Sequence, residues 1–219
     1  MCGRYTLTTP GDVLAPVLGL ESAPELAPRY NIAPSQQVPI VRAGPGRRRE
    51  LAMVRWGLVP HWAKEAAIGN RLINARAETL GEKPAFRDSF RRRRCLIAAD
   101  GFYEWQKLEQ GKRPYLLRLA DGSPFAFAGL WSSWRDPGSG DPLETCAIVT
   151  TTPNELAATV HDRMPVILPP AAFTAWLDPD SPSPVELLVP FPADRMTAFP
   201  VSRRVNDPSY DGPDCVAPA

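Results

Sequence analysis

The sequence predicts a single α+β domain built on an antiparallel β-sheet, with a few peripheral helices. Short apolar runs are separated by 26 prolines and 15 glycines, and this spacing favours strands over helices. Segments that carry helix start signals are few. The chain has 219 residues and is 44% hydrophobic, which is enough to fill one core, because domains usually have about 100–200 residues.

Nine apolar runs have the length and composition of strands. They are Val38–Val41, Leu51–Trp56, Cys95–Ala98, Phe102–Lys107, Tyr115–Leu119, Phe125–Leu130, Cys146–Thr150, Val166–Leu168 and Met196–Pro200. The segment that joins Phe102–Lys107 to Tyr115–Leu119 contains Gly111, so we expect these two strands to form a hairpin. Gly44–Arg49 and Arg135–Pro142 are predicted surface loops.

Three segments carry signals for helices. Asp12–Leu18 and Asn154–Val160 each follow a Thr-Pro pair, and Pro170–Leu177 opens with prolines, which suit the first helical position. The last residues are rich in proline and aspartate. We therefore expect a domain over residues 1–207 and a loose tail over 208–219.

Composition and motif spacing exclude several classes of protein. The first residues lack an apolar run behind a basic start, and the apolar region Met164–Leu177 is broken by three prolines. We therefore expect neither a secretory signal nor a membrane span. Four cysteines without a CxxC pair indicate free thiols in a reducing compartment. His61 and His161, the only histidines, stand alone in the sequence, so the sequence predicts no metal site and no cofactor.

The charges permit nucleic-acid binding without requiring it. The formal net charge is +1, and most basic residues are arginine, whose planar guanidinium suits bidentate phosphate contacts. A GC-rich genome would produce the same preference for arginine, alanine and proline. The run Arg91–Arg94 also has two interpretations. A solvated face that leads into a buried strand is preferred over a dedicated DNA patch.

Cys2 offers chemistry that only an N-terminal cysteine has. Methionine aminopeptidase removes Met1 when the second residue is small, which leaves an amine and a thiol on adjacent carbons. An α-amine has a pKa near 8, so about a tenth of it is neutral at pH 7 and can attack an aldehyde to give an imine. The thiol then adds to the imine and closes a thiazolidine ring. Cys2 taken alone is more often an ordinary small second residue.

Asn74, Glu104 and His161 are further candidates for chemistry. Asn74 follows two apolar residues, and its simplest role is to form a turn at a strand end. Glu104 lies in the aromatic sequence GFYEW. Burial would raise its pKa and let it act as an acid or base near neutral pH, and the alternative is a plain surface residue. His161 is either a proton carrier at physiological pH or a structural histidine.

Taken together, the motifs of this chain resemble those of the SRAP family (SOS response-associated peptidase-like, abasic-site processing proteins). The matching segments follow one another in family order almost from end to end. They are MCGRYTL at 1–7, RYNIAPSQ at 29–36, WGLVPHW at 56–62, NARAET at 74–79, CLIAADGFYEW at 95–105, FAGLW at 127–131, VHDRMPVIL at 160–168 and VSRRVN at 201–206. Eight motifs in this order are far more specific to one family than any single motif is.

The resemblance implies a fold and a function. The fold is a compact α+β domain with a twisted, partly barrel-like antiparallel β-sheet core. The function is to bind abasic sites in single-stranded DNA and to shield them, during the DNA damage response, by a thiazolidine crosslink to Cys2. Asn74 would hold the opened sugar and the amine, and Glu104 would be the general acid/base for ring opening and imine formation. His161 would assist proton transfer at the sugar oxygen and influence reversal of the crosslink.

The resemblance also implies a DNA path and a cellular setting. Seven positions match DNA-contacting residues of similar proteins: Arg4, Pro34, Trp62, Arg76, Trp105, Thr150 and Arg163. Trp62, Trp105 and Pro34 would be apolar platforms, although core packing is the commoner role of a tryptophan. We expect a cytoplasmic monomer that joins the nucleoid when it binds DNA, with replication-associated proteins as potential partners.

Two other functions stay open at this point. The first is a peptidase that uses Cys2 as its nucleophile and removes at least its own leader residue. This activity is compatible with crosslinking and with a side activity as an abasic-site lyase. The second is a non-covalent reader of modified cytosine in duplex DNA, which would not depend on Cys2.

Overall fold

The computed structural model describes residues 2–181 and 184–219, and within them the chain forms thirteen strands and four α-helices. The strands are β1 (Tyr5–Leu7), β2 (Arg29–Ile32), β3 (Gln37–Ala43), β4 (Arg49–Trp56), β5 (Asn74–Arg76), β6 (Arg94–Ala99), β7 (Gly101–Lys107), β8 (Lys112–Leu119), β9 (Phe125–Arg135), β10 (Pro142–Thr151), β11 (Met164–Pro165), β12 (Ile167–Leu168) and β13 (Met196–Pro200). The helices are α1 (Gly11–Leu18), α2 (Arg87–Arg92), α3 (Glu155–Ala158) and α4 (Phe173–Leu177). None of the helices in these ranges is both long enough and apolar enough to cross a lipid bilayer.

Five strands close into a barrel in the order β10-β4-β3-β6-β9, because β9 pairs with both β6 and β10. Most pairings in the barrel are antiparallel, but β10 runs parallel to β4 and then, further along the same edge, parallel to β5. A second, fully antiparallel sheet has the order β13-β8-β7-β1-β2. The predicted α+β class with a partly barrel-like sheet is confirmed, with these two parallel pairings added.

Aromatic side chains join the two sheets in one core. Tyr5, from the second sheet, lies edge-on to Trp56 and to Phe127 of the barrel, with ring centroids 5.3 and 5.9 Å apart. Phe102 of β7 contacts the same Phe127 at 6.1 Å. All four side chains are fully buried, and burying a large apolar side chain contributes about 1.5–3 kcal/mol. The core therefore fixes β1, and the residues before it, against the barrel.

The predicted strands and the predicted hairpin are confirmed, and most strands are longer than expected. The run Val166–Leu168 is shortened to β12, because Val166 bonds through its amide to Val149 and through its carbonyl to Ala128. Four short strands, β1, β2, β5 and β11, and helix α2 were not predicted. They have two to six residues each, which are too few or too polar to show a clear apolar period.

Two segments differ from the expectation that they face solvent. The C-terminal segment 208–219, predicted to be loose, is tied down by Asp211, which accepts hydrogen bonds from the amides of Tyr30 and Asn31 at 2.5 and 2.7 Å. Cys215 in the same segment is fully buried. Arg94 is buried rather than solvated, because its guanidinium donates to the carbonyls of Phe90 and Trp176 at helix ends. Such carbonyls lack partners within their own helices.

Asp100 anchors the N-terminal segment to the turn between β6 and β7. Its carboxylate accepts hydrogen bonds from the hydroxyl groups of Thr6, Thr8 and Thr9 and from the amides of Thr8 and Thr9. The amide of Asp100 in turn donates to the carbonyl of Thr6 at 3.0 Å. The residues that follow the N-terminus are therefore held by one ionised acceptor as well as by the core.

Replacing Asp100 with asparagine tests this anchor. Asp100→Asn removes the charge and puts a donor where an acceptor is needed, so we expect the free energy of unfolding to fall by about 2 kcal/mol. Urea denaturation measures the loss. Asp121→Asn is the matched control, because Asp121 is an exposed turn residue whose carboxylate accepts from Ser123 alone. Equal stability of both variants would show that the anchor is unimportant.

Candidate functional site

Cys2 lies where the second sheet meets the barrel. It is fully buried just before β1, and its carbonyl accepts a hydrogen bond from Nδ2 of Asn74 at 2.8 Å. Asn74 is the first residue of β5 and lies opposite Ile148 on β10. The Cys2 thiol donates to the carbonyl of Arg4 at 3.8 Å. Burial raises the pKa of this thiol, and the charge of Glu104 adds to the effect, so the thiol is protonated at neutral pH.

Glu104 reaches the same place through the pairing of β1 with β7. Tyr5 lies opposite Phe102 in this antiparallel pair, and the amide of Tyr103 donates to the carbonyl of Arg4 at 3.0 Å. Continuing this register places Glu104 level with Gly3, next to Cys2. Glu104 is only 3% exposed, and this burial raises its pKa to about 7. The carboxyl group is therefore present in both protonation states near neutral pH.

His161 lies on the other side of Glu104, in the loop that follows α3. Its Nε2 atom is 3.9 Å from Oε2 of Glu104. The amide of Arg163 donates to Nδ1 at 3.1 Å, which places the proton of the neutral ring on Nε2, towards Glu104. The carboxylate of Asp162 is 2.9 Å from Nδ1, but its side chain is exposed and hydrated, so the fixed backbone donor decides the tautomer. Burial lowers the pKa of His161, which favours this neutral form.

A surface cavity of about 1000 Å³ opens beside this pair. Glu104, Trp105 and His161 line it, together with Lys107 and Lys112 at the end of the β7–β8 hairpin. The hairpin is fixed to the His161 loop by Gln106, which donates to the carbonyl of Thr159 at 2.9 Å. The four predicted catalytic residues, Cys2, Asn74, Glu104 and His161, therefore meet in one region next to a cavity that is large enough for a nucleotide.

Arg4 and Trp105 line up on the outer face of the second sheet. The guanidinium of Arg4 lies 5.8 Å from the centroid of the Trp105 ring. It donates to Oδ1 of Asn31 at 2.8 Å and to the carbonyl of Val205 at 2.6 Å. Asn31 was not a sequence candidate, although it lies in the RYNIAPSQ motif. Arg4 is thus already oriented by neutral acceptors, which leave its charge available to a phosphate.

Arg163 is held by a residue that the sequence reasoning missed. Its guanidinium forms a bidentate pair with Glu78, at 2.6 and 3.0 Å, and also donates to the carbonyl of Thr150 at 2.7 Å. Thr150, a predicted DNA contact, is fully buried, so in this structure it faces Arg163 and not the surface. Glu78 follows Arg76 by two residues in NARAET, which was the available signal for its role.

The other predicted DNA contacts lie towards the surface. Trp62 is 50% exposed, and its Nε1 donates to the carbonyl of Pro84 at 3.4 Å. Arg76 at the end of β5 is exposed, and Pro34 is half-buried. Exposed aromatic and cationic groups are the kind that DNA-binding surfaces use.

The raised pKa of Glu104 predicts a pH-dependent stability. The folded state holds the proton more tightly than the unfolded chain, so stability falls as the pH rises from about 4.5 to about 7. Glu104→Gln removes this ionisation. We therefore expect the stability of the variant relative to the native chain to increase by about 3 kcal/mol between pH 4.5 and 8. Urea unfolding across this range measures it, with Glu109→Gln on the exposed hairpin loop as control. Parallel curves for Glu104→Gln and the native chain would contradict the burial argument.

The chain is similar to proteins of known family. Residues 1–208 match the model of the family described as "SOS response associated peptidase (SRAP)". The abasic site processing protein YoqW of Bacillus subtilis is 44% identical, and the match covers 99% of each chain. The abasic site processing protein HMCES of Xenopus tropicalis is 31% identical over 87% of this chain and 66% of its own.

Solved structures agree with this relationship. A crystal structure of a Bacteroides thetaiotaomicron protein superposes with a TM-score of 0.89 at 27% identity and covers both chains fully. A second, from Bordetella bronchiseptica, has a TM-score of 0.80 at 27% identity and covers 92% of this chain and all of its own. The family match spans the barrel, the second sheet and the whole cluster of Cys2, Asn74, Glu104 and His161. The chain therefore belongs to the SRAP family.

Proposed function

We propose that this protein binds abasic sites in single-stranded DNA and forms a thiazolidine crosslink with the abasic aldehyde through Cys2, after removal of Met1. The crosslink shields the site from cleavage during the DNA damage response. The observation that carries the proposal is the grouping of Cys2, Asn74, Glu104 and His161 in one region, where Glu104 and His161 line a surface cavity. The names of the relatives, abasic site processing proteins, support the same class of substrate.

Asn74 is suited to hold the amine of the mature N-terminus. Its Nδ2 donates to the carbonyl of Cys2, whereas its Oδ1 is buried and accepts no hydrogen bond from the residues that the structure describes. A buried acceptor without a donor costs about 1–3 kcal/mol. Removal of Met1 converts the peptide nitrogen of Cys2 to an amine, which supplies donors for this oxygen. The same contact would orient the lone pair of the amine for attack.

Glu104 and His161 supply the proton transfers that precede attack. An abasic sugar is mostly a closed hemiacetal, so the C1′ hydroxyl must lose a proton and the ring oxygen must gain one before an aldehyde forms. Because the pKa of Glu104 is about 7, its carboxylate can take the first proton and its acid form can return one. His161, with its proton on Nε2, is a second donor at the sugar oxygen.

The covalent steps then balance with the loss of one water. The neutral amine of Cys2 adds to C1′, and the carbinolamine loses water to give an imine. The thiol sulfur adds to C1′, and the thiol proton passes to the imine nitrogen as the ring closes. Because burial raises the pKa of the thiol, a base has to take this proton, and Glu104 lies next to it. Closure consumes the imine, which otherwise allows β-elimination and strand cleavage.

A peptidase with Cys2 as its nucleophile is the second candidate, and the family description names that activity. A cysteine peptidase depends on a thiolate with a lowered pKa. Here burial raises the pKa of Cys2, and the thiol donates to a backbone carbonyl instead of facing His161. This arrangement favours crosslinking. We further propose that one chain acts alone, since all four groups come from a single chain. The four free cysteines support a reducing compartment, the cytoplasm, as its location.

The test is to incubate the purified protein with a single-stranded oligonucleotide that contains one abasic site. We expect an adduct that survives heating on a denaturing gel. Its intact mass should equal protein without Met1 plus DNA minus one water. Cys2→Ala keeps the amine and loses the thiol, so it should give strand cleavage in place of the stable adduct. Cys215→Ala, which removes a buried thiol elsewhere, is the matched control and should crosslink like the native chain.

Other outcomes would redirect the proposal. A heat-stable adduct with Cys2→Ala, or Met1 retained in crosslinking material, would exclude the thiazolidine. Digestion of protein substrates without DNA would favour the peptidase. Reversible DNA binding unchanged by Cys2→Ser, with no adduct, would favour a reader of modified cytosine.

A further inference from the structure

Positive charge is concentrated in one part of the chain. Residues 61–94 contain nine Lys and Arg residues against four Asp and Glu residues, a net charge of +5. The whole chain has +1, so the remaining residues together carry −4. Within the segment, the charge of Arg94 is buried among backbone carbonyls. The surplus at the surface therefore comes from the other basic residues.

Four of the residues in this segment form one basic surface. Among the described residues, His61, Arg91, Arg92 and Arg93 line a cavity of about 380 Å³ together with Asp88. We call these four residues the arginine ledge. Asp88 lies 3.6 Å from Arg87, which offsets its charge. Arg91 and Arg92, at the end of α2, are exposed.

The ledge is held in place by the barrel. The carbonyl of Arg93 accepts a hydrogen bond from the backbone amide of Trp131 at 2.9 Å. The guanidinium of Arg93 lies 5.6 Å from the centroid of the Trp131 ring. The backbone that bears these arginines is thus attached to the barrel and is not part of a long loop. Charges fixed in this way lose less conformational entropy when they bind an anion.

The ledge is continuous with the predicted DNA path. Next to Pro34, the hydroxyl of Ser35 donates to Oδ1 of Asn70 at 3.3 Å. Asn70 and Trp62 line one surface cavity of about 530 Å³, together with Lys64 and Arg71. His61, the neighbour of Trp62 in the chain, lines the cavity of the ledge. Neighbouring surface residues therefore lead from Pro34 through Trp62 and His61 to the arginines.

The distance from the reactive cluster to the ledge follows from the strand register. Arg93 bonds to Trp131, which lies opposite Cys146 on β10, and Asn74 lies opposite Ile148 on the same strand. Two residues along β10 and three strand spacings around the barrel give a path of about 15 Å along the surface from Asn74 to Arg93. This distance corresponds to about four nucleotides at the rise of a B-form strand, and to fewer in an extended strand.

We propose that the arginine ledge is a second DNA-contact surface, which holds phosphates of the damaged strand a few nucleotides away from the abasic site, beyond Pro34 and Trp62. The inference rests on the proposed function and extends it by defining the length of DNA that the protein covers. The phosphodiester backbone is the partner that fits, because it is a continuous anion that already occupies the adjoining path. Guanidinium groups match its oxygens in a bidentate manner.

The test compares undamaged single-stranded oligonucleotides of about 5 and about 15 nucleotides in fluorescence anisotropy at several salt concentrations. We expect the native chain to bind the longer one about tenfold more tightly than its larger number of binding registers alone would give. Arg91→Ala/Arg92→Ala should lose this preference, and the slope of log Kd against log salt should decrease by about 1.4, since each phosphate contact contributes about 0.7. Arg118→Ala/Arg195→Ala is the matched control. It removes two exposed cations at the β8–β13 edge of the second sheet and should preserve both the length preference and the salt slope.

Crosslinking to an abasic oligonucleotide is measured in parallel, so the two proposals fail separately. A native chain that forms no adduct but shows the ledge-dependent length preference would overturn the proposed function and retain the ledge. Normal crosslinking together with an unchanged length preference and salt slope in Arg91→Ala/Arg92→Ala would overturn the ledge. The same conclusion follows if the native chain binds both lengths equally, or if the control double variant loses as much as the ledge variant.

Discussion

The hydrogen bond from Asn74 to the carbonyl of Cys2 connects the two sheets at the point where the chemistry is proposed. Asn74 belongs to a strand laid parallel along β10 of the barrel, and Cys2 leads into β1 of the second sheet. This contact needs both sheets to be in register, because a slip of one residue would turn every side chain to the opposite face. The aromatic contacts of Tyr5 and the acceptor Asp100 hold that register.

The environment of the site also determines its protonation. A carboxyl group in water would be ionised at neutral pH, whereas Glu104 is raised to a pKa of about 7 by burial next to β1. Neutral His161 faces it with the proton on Nε2. A carboxyl group with a pKa near neutral pH can act first as a base and then as an acid during one reaction. As a consequence, the fold is less stable above neutral pH. A loss of stability of this kind is common at functional sites.

Much of the fold was predictable from sequence, and the failures have physical causes. Long apolar strands such as β9 and β10 were found because their residues are buried over most of their length. The short strand β5 is Asn-Ala-Arg and has no apolar pattern, since a single buried alanine is enough to fit it beside β10. Asp211 and Cys215 looked like residues of a loose tail, because their partners are distant in sequence. The site was identified by its family motifs, but the pairing of Arg163 with Glu78 required the structure.

The burial of Cys2 has a practical consequence for anyone who wishes to handle the protein. A purification tag placed ahead of Cys2 keeps the nitrogen of this residue in an amide bond. The tag would also have to pass out to solvent from a fully buried position. At the other end, Ala219 is exposed, although its amide still bonds to the carbonyl of Pro200. Affinity handles, fluorophores and surface attachment therefore belong after Ala219, where they leave the proposed reactive end of the molecule untouched.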